Sequence, residues 1–165
     1  MTKKIHKILA INPGTRYLGI AIFQGSELME WRVKVIGGKW SKEKQEKILI
    51  LVRRFIEQYE PDILAIKKLH GSRSSDNLNY LTGRIKQRAK RNGLKVYQYT
   101  IKEMKAFFFG EAMTNKDKLA QVLASKYQFL LPEVRKEQEN ENPYYFRMFE
   151  AVALGAVCSY QSGSN

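Results

Sequence analysis

The sequence predicts a single α/β domain over residues 1–165, built on a five-stranded mixed sheet with helices on both faces. Two observations support this fold class. Three short apolar segments near the start are joined by short turns, which is typical of an antiparallel meander. The later apolar segments alternate with helical patterns, which is typical of parallel strands joined by crossover helices. A chain of 165 residues is also long enough to bury a substantial core.

The meander is predicted from the turn residues that separate its strands. The first strand, 7–11, ends at the sequence Asn12-Pro13-Gly14, and the second, 19–23, ends at a Gln-Gly-Ser turn. Both are strong turn signals. The third strand is expected over residues 28–36. These turns are short, so the three strands should pair as antiparallel neighbours.

The rest of the chain is predicted to alternate helices and strands. Ser41 is a good N-cap for a helix that continues to about residue 59, where apolar residues recur at helical spacing. Gly93 and Pro143 are well placed to end one helix and to open another. The remaining predicted elements are strands over 62–68 and 94–99, helices over 75–92, 101–109, 115–129 and 143–159, and a polar surface loop over 133–142.

The charge balance favours a polyanionic partner. The chain has 29 Lys and Arg against 16 Asp and Glu, for a formal net charge of +13. Nucleic acid is the commonest partner for such an excess, although a surface that merely keeps the protein dispersed is the alternative. The lone cysteine, Cys158, excludes an internal disulfide and favours a reducing, cytoplasmic setting. No apolar stretch approaches the roughly 18 residues of a membrane span.

Four segments, in order along residues 7–160, carry a family resemblance. Residues 8–16 form an apolar strand followed by Asn-Pro-Gly-Thr, with Gly19 at a matching distance. The other three segments are 61–66, 96–122 and 150–155. Together they resemble the RuvC-type Holliday junction resolvases of the RNase H-like superfamily. The resemblance implies an RNase H-like fold for this chain.

The resemblance also implies a catalytic site from which this sequence departs. Members of the family gather four carboxylates around two Mg²⁺ or Mn²⁺ ions, which flank the phosphate to be cut. The matching positions here are Asn12, Lys67, Arg147 and Glu150, of which only Glu150 could still bind a metal. The set is therefore net positive. We expect no metal cofactor, and little or no cleavage.

Two interpretations of these four positions remain open. Lys67 and Arg147 could take over the electrostatic role of the metals and hold a phosphate directly. Alternatively, displaced acids could rebuild an active endonuclease. Asp76 and Glu103 are candidates without motif support, and Asp62 lies at the wrong end of its strand.

A basic helix over residues 78–91 is the clearest predicted binding element. Its inward stripe contains Leu78, Leu81, Ile85 and Ala89, and Gly83 would allow close approach of a second subunit. In the family the corresponding helix lies near the dimer interface, and Leu81, Gly83 and Ile85 match that pattern loosely. His70 stands where the family places a loop aromatic that enters the junction. The predicted nucleic-acid contacts are Arg16, His70, Arg73, Arg84, Lys86, Arg88, Lys90, Arg91, Lys102, Lys105, Lys116 and Lys118.

The sequence thus predicts a dimeric protein that binds branched or duplex DNA, with an unidentified catalytic or helicase partner as a further possibility. An active structure-selective endonuclease is the second hypothesis. A scaffold that keeps the fold for protein partners is the third. Salt-sensitive junction binding would support the first two, and metal-dependent cutting would single out the second.

Overall fold

The computed structural model describes residues 5–72, 74–109, 116–132, 134–135 and 143–162. Its strands are β1 (Lys7–Asn12), β2 (Tyr17–Gln24), β3 (Glu27–Val35), β4 (Ile63–Lys67) and β5 (Lys95–Tyr99). Five α-helices are numbered α1 (Lys42–Tyr59), α2 (Asp76–Arg91), α3 (Ile101–Phe109), α4 (Lys116–Lys126) and α5 (Pro143–Gln161). A 3₁₀ turn, Gln128–Leu130, follows α4.

The five strands form one mixed sheet in the order β3-β2-β1-β4-β5. Strands β1, β2 and β3 pair antiparallel, whereas β4 is parallel to both β1 and β5. The predicted meander and the two parallel additions are therefore confirmed. The carboxyl ends of β1, β4 and β5 meet at one edge of the sheet, which is where ligand sites of open α/β sheets lie.

The two faces of the sheet bury two separate cores. Alternate residues of β1 and β4 point to opposite faces, so Leu9 and Ile66 pack beneath α1 and α2, while Ala10 and Ala65 pack beneath the helices of the other face. The second face is covered by α5, with α3 and α4 packed against it. The small side chains under α5 allow it to lie close to the sheet.

Capping residues define several helix ends, among them the predicted Ser41 and Gly93. Ser41 accepts a hydrogen bond from the Lys44 amide at 3.1 Å, and Ser75 accepts one from the Leu78 amide at 3.1 Å. At the end of α2, Gly93 has a φ of +83°, a value that glycine adopts without steric cost. At the start of α3, the Thr100 hydroxyl accepts from the Glu103 amide and donates to its carboxylate.

The predicted loop over residues 133–142 is only partly described, and there it is wrong. Val134 and Arg135 are helical, and Val134 is buried in the core. Val134 is a single apolar residue within a polar segment, so the sequence shows no helical periodicity from which a helix could be predicted here. Residues 133 and 136–142 lie outside the described part of the chain.

Two groups of side chains on the α5 side of the sheet contribute to its core. Cys158 is buried, and burial raises the pKa of its thiol to about 11. Phe107 and Phe108 pack against the core, and the planes of their two rings meet edge to face at 88°. No helix in the described residues is long and apolar enough to cross a membrane.

Candidate functional site

The structure brings Asn12, Lys67 and Glu150 together at the carboxyl edge of the sheet. Asn12 and Lys67 each follow the paired residues Ile11 and Ile66, at the ends of the adjacent parallel strands β1 and β4. Both continue the rows of side chains that face α5. Glu150 lies on α5, above the two strand ends, so all three side chains converge on one point.

Hydrogen bonds tie these three side chains into one cluster. The Lys67 ammonium lies 3.0 Å from Glu150 Oε1 and 3.4 Å from Oε2. The amide of Asn12 donates from Nδ2 to the same Oε1 at 3.0 Å, and to the Arg147 carbonyl at 3.2 Å. The side chains of Lys67 and Glu150 are 14% and 2% exposed. This is a nearly buried ion pair with an amide attached to it.

One polar atom of the cluster is left without a partner. The Oδ1 atom of the fully buried Asn12 accepts no hydrogen bond from any residue that the structure describes. A buried carbonyl-type oxygen without a partner costs about 1–3 kcal/mol. An unpaired acceptor at the centre of a site marks a group that is available for chemistry or for a further ligand.

Arg147 is placed by close backbone packing. Its carbonyl lies so near Gly19 that a Cβ there would collide with it, and its guanidinium carbon would lie 3.6 Å from a Cβ on Gly14. The guanidinium therefore covers the turn after β1. The glycine whose spacing contributed to the family resemblance is explained by this contact, since no larger residue at position 19 would admit α5.

The two cations of the site have different environments. Lys67 is paired with Glu150, whereas no carboxylate among the described residues lies within 4 Å of the half-buried Arg147 guanidinium. The hypothesis that both cations hold a phosphate stays a prediction, and for Lys67 it requires the ammonium to leave or share Glu150. The predicted net positive charge of the site resides on Arg147.

The residues present do not fit a two-metal centre. Within the described ranges, no three His, Cys, Asp or Glu side chains are grouped so that they could hold a metal ion. Glu150 already has Lys67 on both oxygens. A divalent cation about 4 Å from an ammonium is opposed by about 8 kcal/mol at an effective permittivity near 20. Asp62 lies at the far end of β4, bound to His6, as its sequence position predicted.

A small cavity adjoins Glu150 on the side of α3 and α4. Its volume is about 50 Å³. It is lined by Ile101, Met104, Lys105, Leu119, Phe146 and Glu150. Lys105 thus borders the site, while its contact with nucleic acid stays a prediction. Lys102 is exposed on the same helix, and the side chains of Lys116 and Lys118 lie outside the described set.

The basic residues of α2 divide between two surfaces. Arg84 lies 3.7 Å from Glu46 of α1, and the Lys86 ammonium donates to Gln98 of β5 at 3.2 Å. The exposed outer surface of α2 is formed by Gly83, Lys86, Gln87, Lys90 and Arg91. Arg91 therefore shares a surface with Lys86 and Lys90.

Three further predictions about this region have different outcomes. Leu81 and Ile85 are fully buried, so the interpretation of both as interface residues is wrong, while their place in the inward stripe is confirmed. Nothing lies within 4 Å of a Cβ on Gly83. His70 and Arg16 are exposed near the carboxyl edge of the sheet, and Arg73 lies outside the described residues.

Sequence reasoning brought the right residues to the site but missed how they pair. The family register placed Asn12, Lys67 and Glu150 at one edge. The Lys67–Glu150 bond depends on side-chain directions that a motif does not give. The i, i+3 spacing of Arg147 and Glu150 predicts that the two residues share a helix face. In the structure the Arg147 guanidinium lies over Gly14, so it does not join the cluster around Glu150.

Comparison with known proteins identifies the family. Residues 8–134 match the model of the family described as crossover junction endodeoxyribonuclease RuvC. The protein of that name from Citrifermentans bemidjiense is 29% identical over 166 residues, covering 96% of this chain and 94% of the relative. The Geobacter sulfurreducens protein is 26% identical, covering 82% and 86%.

Solved structures confirm the fold. Thermus thermophilus RuvC, in a complex with a Holliday junction substrate, superposes with a TM-score of 0.71 at 17% identity, covering 96% of both chains. The yeast mitochondrial Holliday junction resolvase gives a TM-score of 0.65 at 11% identity, covering 99% of this chain and 82% of its own. The family match extends over more than three quarters of the sequence. The chain belongs to the RuvC family of crossover junction endodeoxyribonucleases.

Proposed function

We propose that this protein binds branched DNA, with four-way junctions as its preferred substrate, and that it cuts that DNA weakly or not at all. Its curated relatives are named crossover junction endodeoxyribonucleases, and one similar structure was solved with a Holliday junction. A net charge of +13 suits a DNA partner. These findings support the substrate class.

The observation that carries the loss of cleavage is the Lys67–Glu150 pair. Its ammonium lies 3.0 Å from the single carboxylate in the cluster, where a metal ion would need that carboxylate. No step of metal-assisted hydrolysis can be written with Asn12, Lys67 and Glu150 in this arrangement. The pair instead neutralises the buried carboxylate internally.

Arg147 is the proposed phosphate-binding residue of this site. Its guanidinium is half-buried over the Gly14 turn and has no acidic partner among the described residues. A planar guanidinium can donate two parallel hydrogen bonds to phosphate oxygens. Lys105, Lys102 and Arg16 lie around the same edge and would hold the neighbouring phosphates. His70 could stack against an unpaired base at the junction centre.

We also propose that two copies associate through the exposed surface of α2. Gly83 is open there, and a two-fold arrangement would match the symmetry of a four-way junction. However, Lys86, Lys90 and Arg91 surround Gly83. Like charges would face each other across the axis, so salt should strengthen this dimer while it weakens DNA binding. Sedimentation velocity at low and high salt tests this; dimers that dissociate as salt rises would contradict it.

Junction binding over a salt series tests the proposed function. The affinity for a four-way junction should fall steeply between about 50 and 200 mM salt and should exceed the affinity for a linear duplex. Equal affinity for both DNAs would remove the preference for junctions. No binding at low salt would leave the fold as a scaffold for protein partners.

A restored site tests why cleavage is absent. Asn12→Asp, Lys67→Glu and Arg147→Asp together would bring four carboxylates to the carboxyl edge, with Glu150 as the fourth. This variant should bind Mn²⁺ measurably by calorimetry, whereas the wild-type protein should not. If the variant folds but takes up no Mn²⁺, the site geometry has diverged as well as its charge.

A further inference from the structure

We propose that Lys67 and Asn12 form an intramolecular isopeptide bond, with Glu150 as the proton shuttle. The inference rests on three chemical groups in one enclosed cluster: a primary amine, a carboxamide and a carboxylic acid. Each is the group that such a reaction requires, and the two that would join lie on neighbouring strands. It concerns covalent structure and does not depend on DNA binding.

The geometry brings the two reacting side chains together. The Lys67 ammonium and the Asn12 amide nitrogen both bond to Glu150 Oε1, each at 3.0 Å. Adjacent strands lie about 4.8 Å apart. Both side chains leave β1 and β4 on the face covered by α5, one residue beyond the Ile11–Ile66 pair. The strand backbones hold the amine and the amide beside each other, which lowers the entropic cost of reaction.

The surroundings enclose the reacting groups. Asn12 is fully buried, and Glu150 is 1% exposed. Apolar side chains, among them Met104 and Leu119, line the neighbouring cavity. This enclosure limits the access of water that would compete for the amide.

The unpartnered Oδ1 of Asn12 completes the set. As placed, the amide points Nδ2 at the Glu150 carboxylate, which is the orientation a charged acid requires. If Glu150 takes a proton, it becomes a donor, and a half-turn of the amide would present Oδ1 to it. The carbonyl would then be polarised by the acid that lies closest to it.

The proposed reaction balances without any further reagent. The Lys67 ammonium transfers a proton to Glu150, and the neutral Nζ attacks Cγ of Asn12. The protonated Glu150 hydrogen-bonds the carbonyl oxygen, gives its proton to the departing amide nitrogen and takes up one proton from the attacking nitrogen, so that it ends as the carboxylic acid. The Cγ–Nδ2 bond breaks, an Nζ–Cγ amide remains, and ammonia leaves. The cavity of about 50 Å³ beside Glu150 is large enough to receive it.

Mass spectrometry of the intact full-length protein tests the proposal. Loss of ammonia lowers the mass by about 17 Da. Trypsin should then release residues 8–16 joined to residues 55–68, because cleavage after Lys67 is blocked. Peptide fragmentation is needed to place the loss, since the Asn92-Gly93 sequence can also lose ammonia by forming a succinimide.

Lys67→Arg is the matched control. It keeps a cation beside Glu150 but removes the nucleophilic amine, so it should show the full mass and no joined peptide. Glu150→Gln should likewise stop the reaction by removing the proton shuttle. Wild-type protein that keeps its full mass and a free Lys67 after prolonged incubation would overturn the proposal. A loss located at Asn92 would overturn it equally.

Discussion

The two ends of the β1–β4 strand pair carry ion pairs of opposite character. At the amino end, His6 Nδ1 lies 2.6 Å from Asp62, and the two side chains are 23% and 31% exposed. At the carboxyl end, Lys67 binds Glu150 with 14% and 2% exposure. The first pair fastens the beginning of β1 near solvent. The second occupies the position of the family's catalytic site.

This difference in burial determines what each pair can do. A solvated pair contributes little to stability because water and salt screen it. A buried pair has already lost its hydration, so removal of one partner leaves an uncompensated charge. The carboxyl-end pair is therefore expected to be the one whose disruption changes both stability and ligand chemistry.

Removal of the buried cation should have the largest effect. Relative to wild-type protein that retains a free Lys67, Lys67→Met leaves Glu150 without a counter-charge and should lower the free energy of unfolding by about 3–5 kcal/mol, as measured by urea denaturation. The double variant Lys67→Met with Glu150→Gln should recover much of this loss. A cost below about 1 kcal/mol for the single variant would mean that water enters the site freely.

Removal of the Arg147 cation should affect DNA binding rather than folding. Arg147→Gln should weaken junction binding about tenfold, or about 1.4 kcal/mol. It should also reduce the slope of log affinity against log salt concentration by about one. Arg54→Gln, at an exposed position on α1, is the matched control and should change neither quantity. Equal losses in the two variants would assign the effect to overall charge instead of to the site.

The amino-end pair should give the smallest effect, and one that depends on pH. Burial opposes the charge of Asp62, but hydrogen bonds from His6 and the Lys7 amide, with the charge of His6, outweigh it and lower the pKa of that carboxyl below 3.8. A lowered pKa stabilises the fold above the unfolded value, and this contribution disappears as pH falls through the folded one.

Asp62→Asn tests that dependence. It should cost about 1 kcal/mol or less at neutral pH, and its unfolding free energy should converge with that of the wild-type protein as the pH falls below about 4. Denaturation over a pH series provides the measurement. A difference that stays constant in strong acid would show that the amide perturbs packing instead.

Much of the fold follows from local sequence signals, and the site only in part. Ser41 and Gly93 predicted helix ends because capping and positive φ are local requirements. The family register brought Asn12 and Glu150 to one place. The pairing of Lys67 with Glu150 was beyond the sequence, because a sum of charges does not say which cation lies next to the acid.

Cleavage of a four-way junction in the presence of Mg²⁺ or Mn²⁺ is the measurement that tests this account most directly. With protein in excess over junction, the wild-type protein should shift the DNA in a gel yet leave its strands intact under denaturing conditions, with either metal. Metal-dependent cutting that disappears in Glu150→Gln would contradict the account, because it would mean that Glu150 leaves Lys67 to bind an ion.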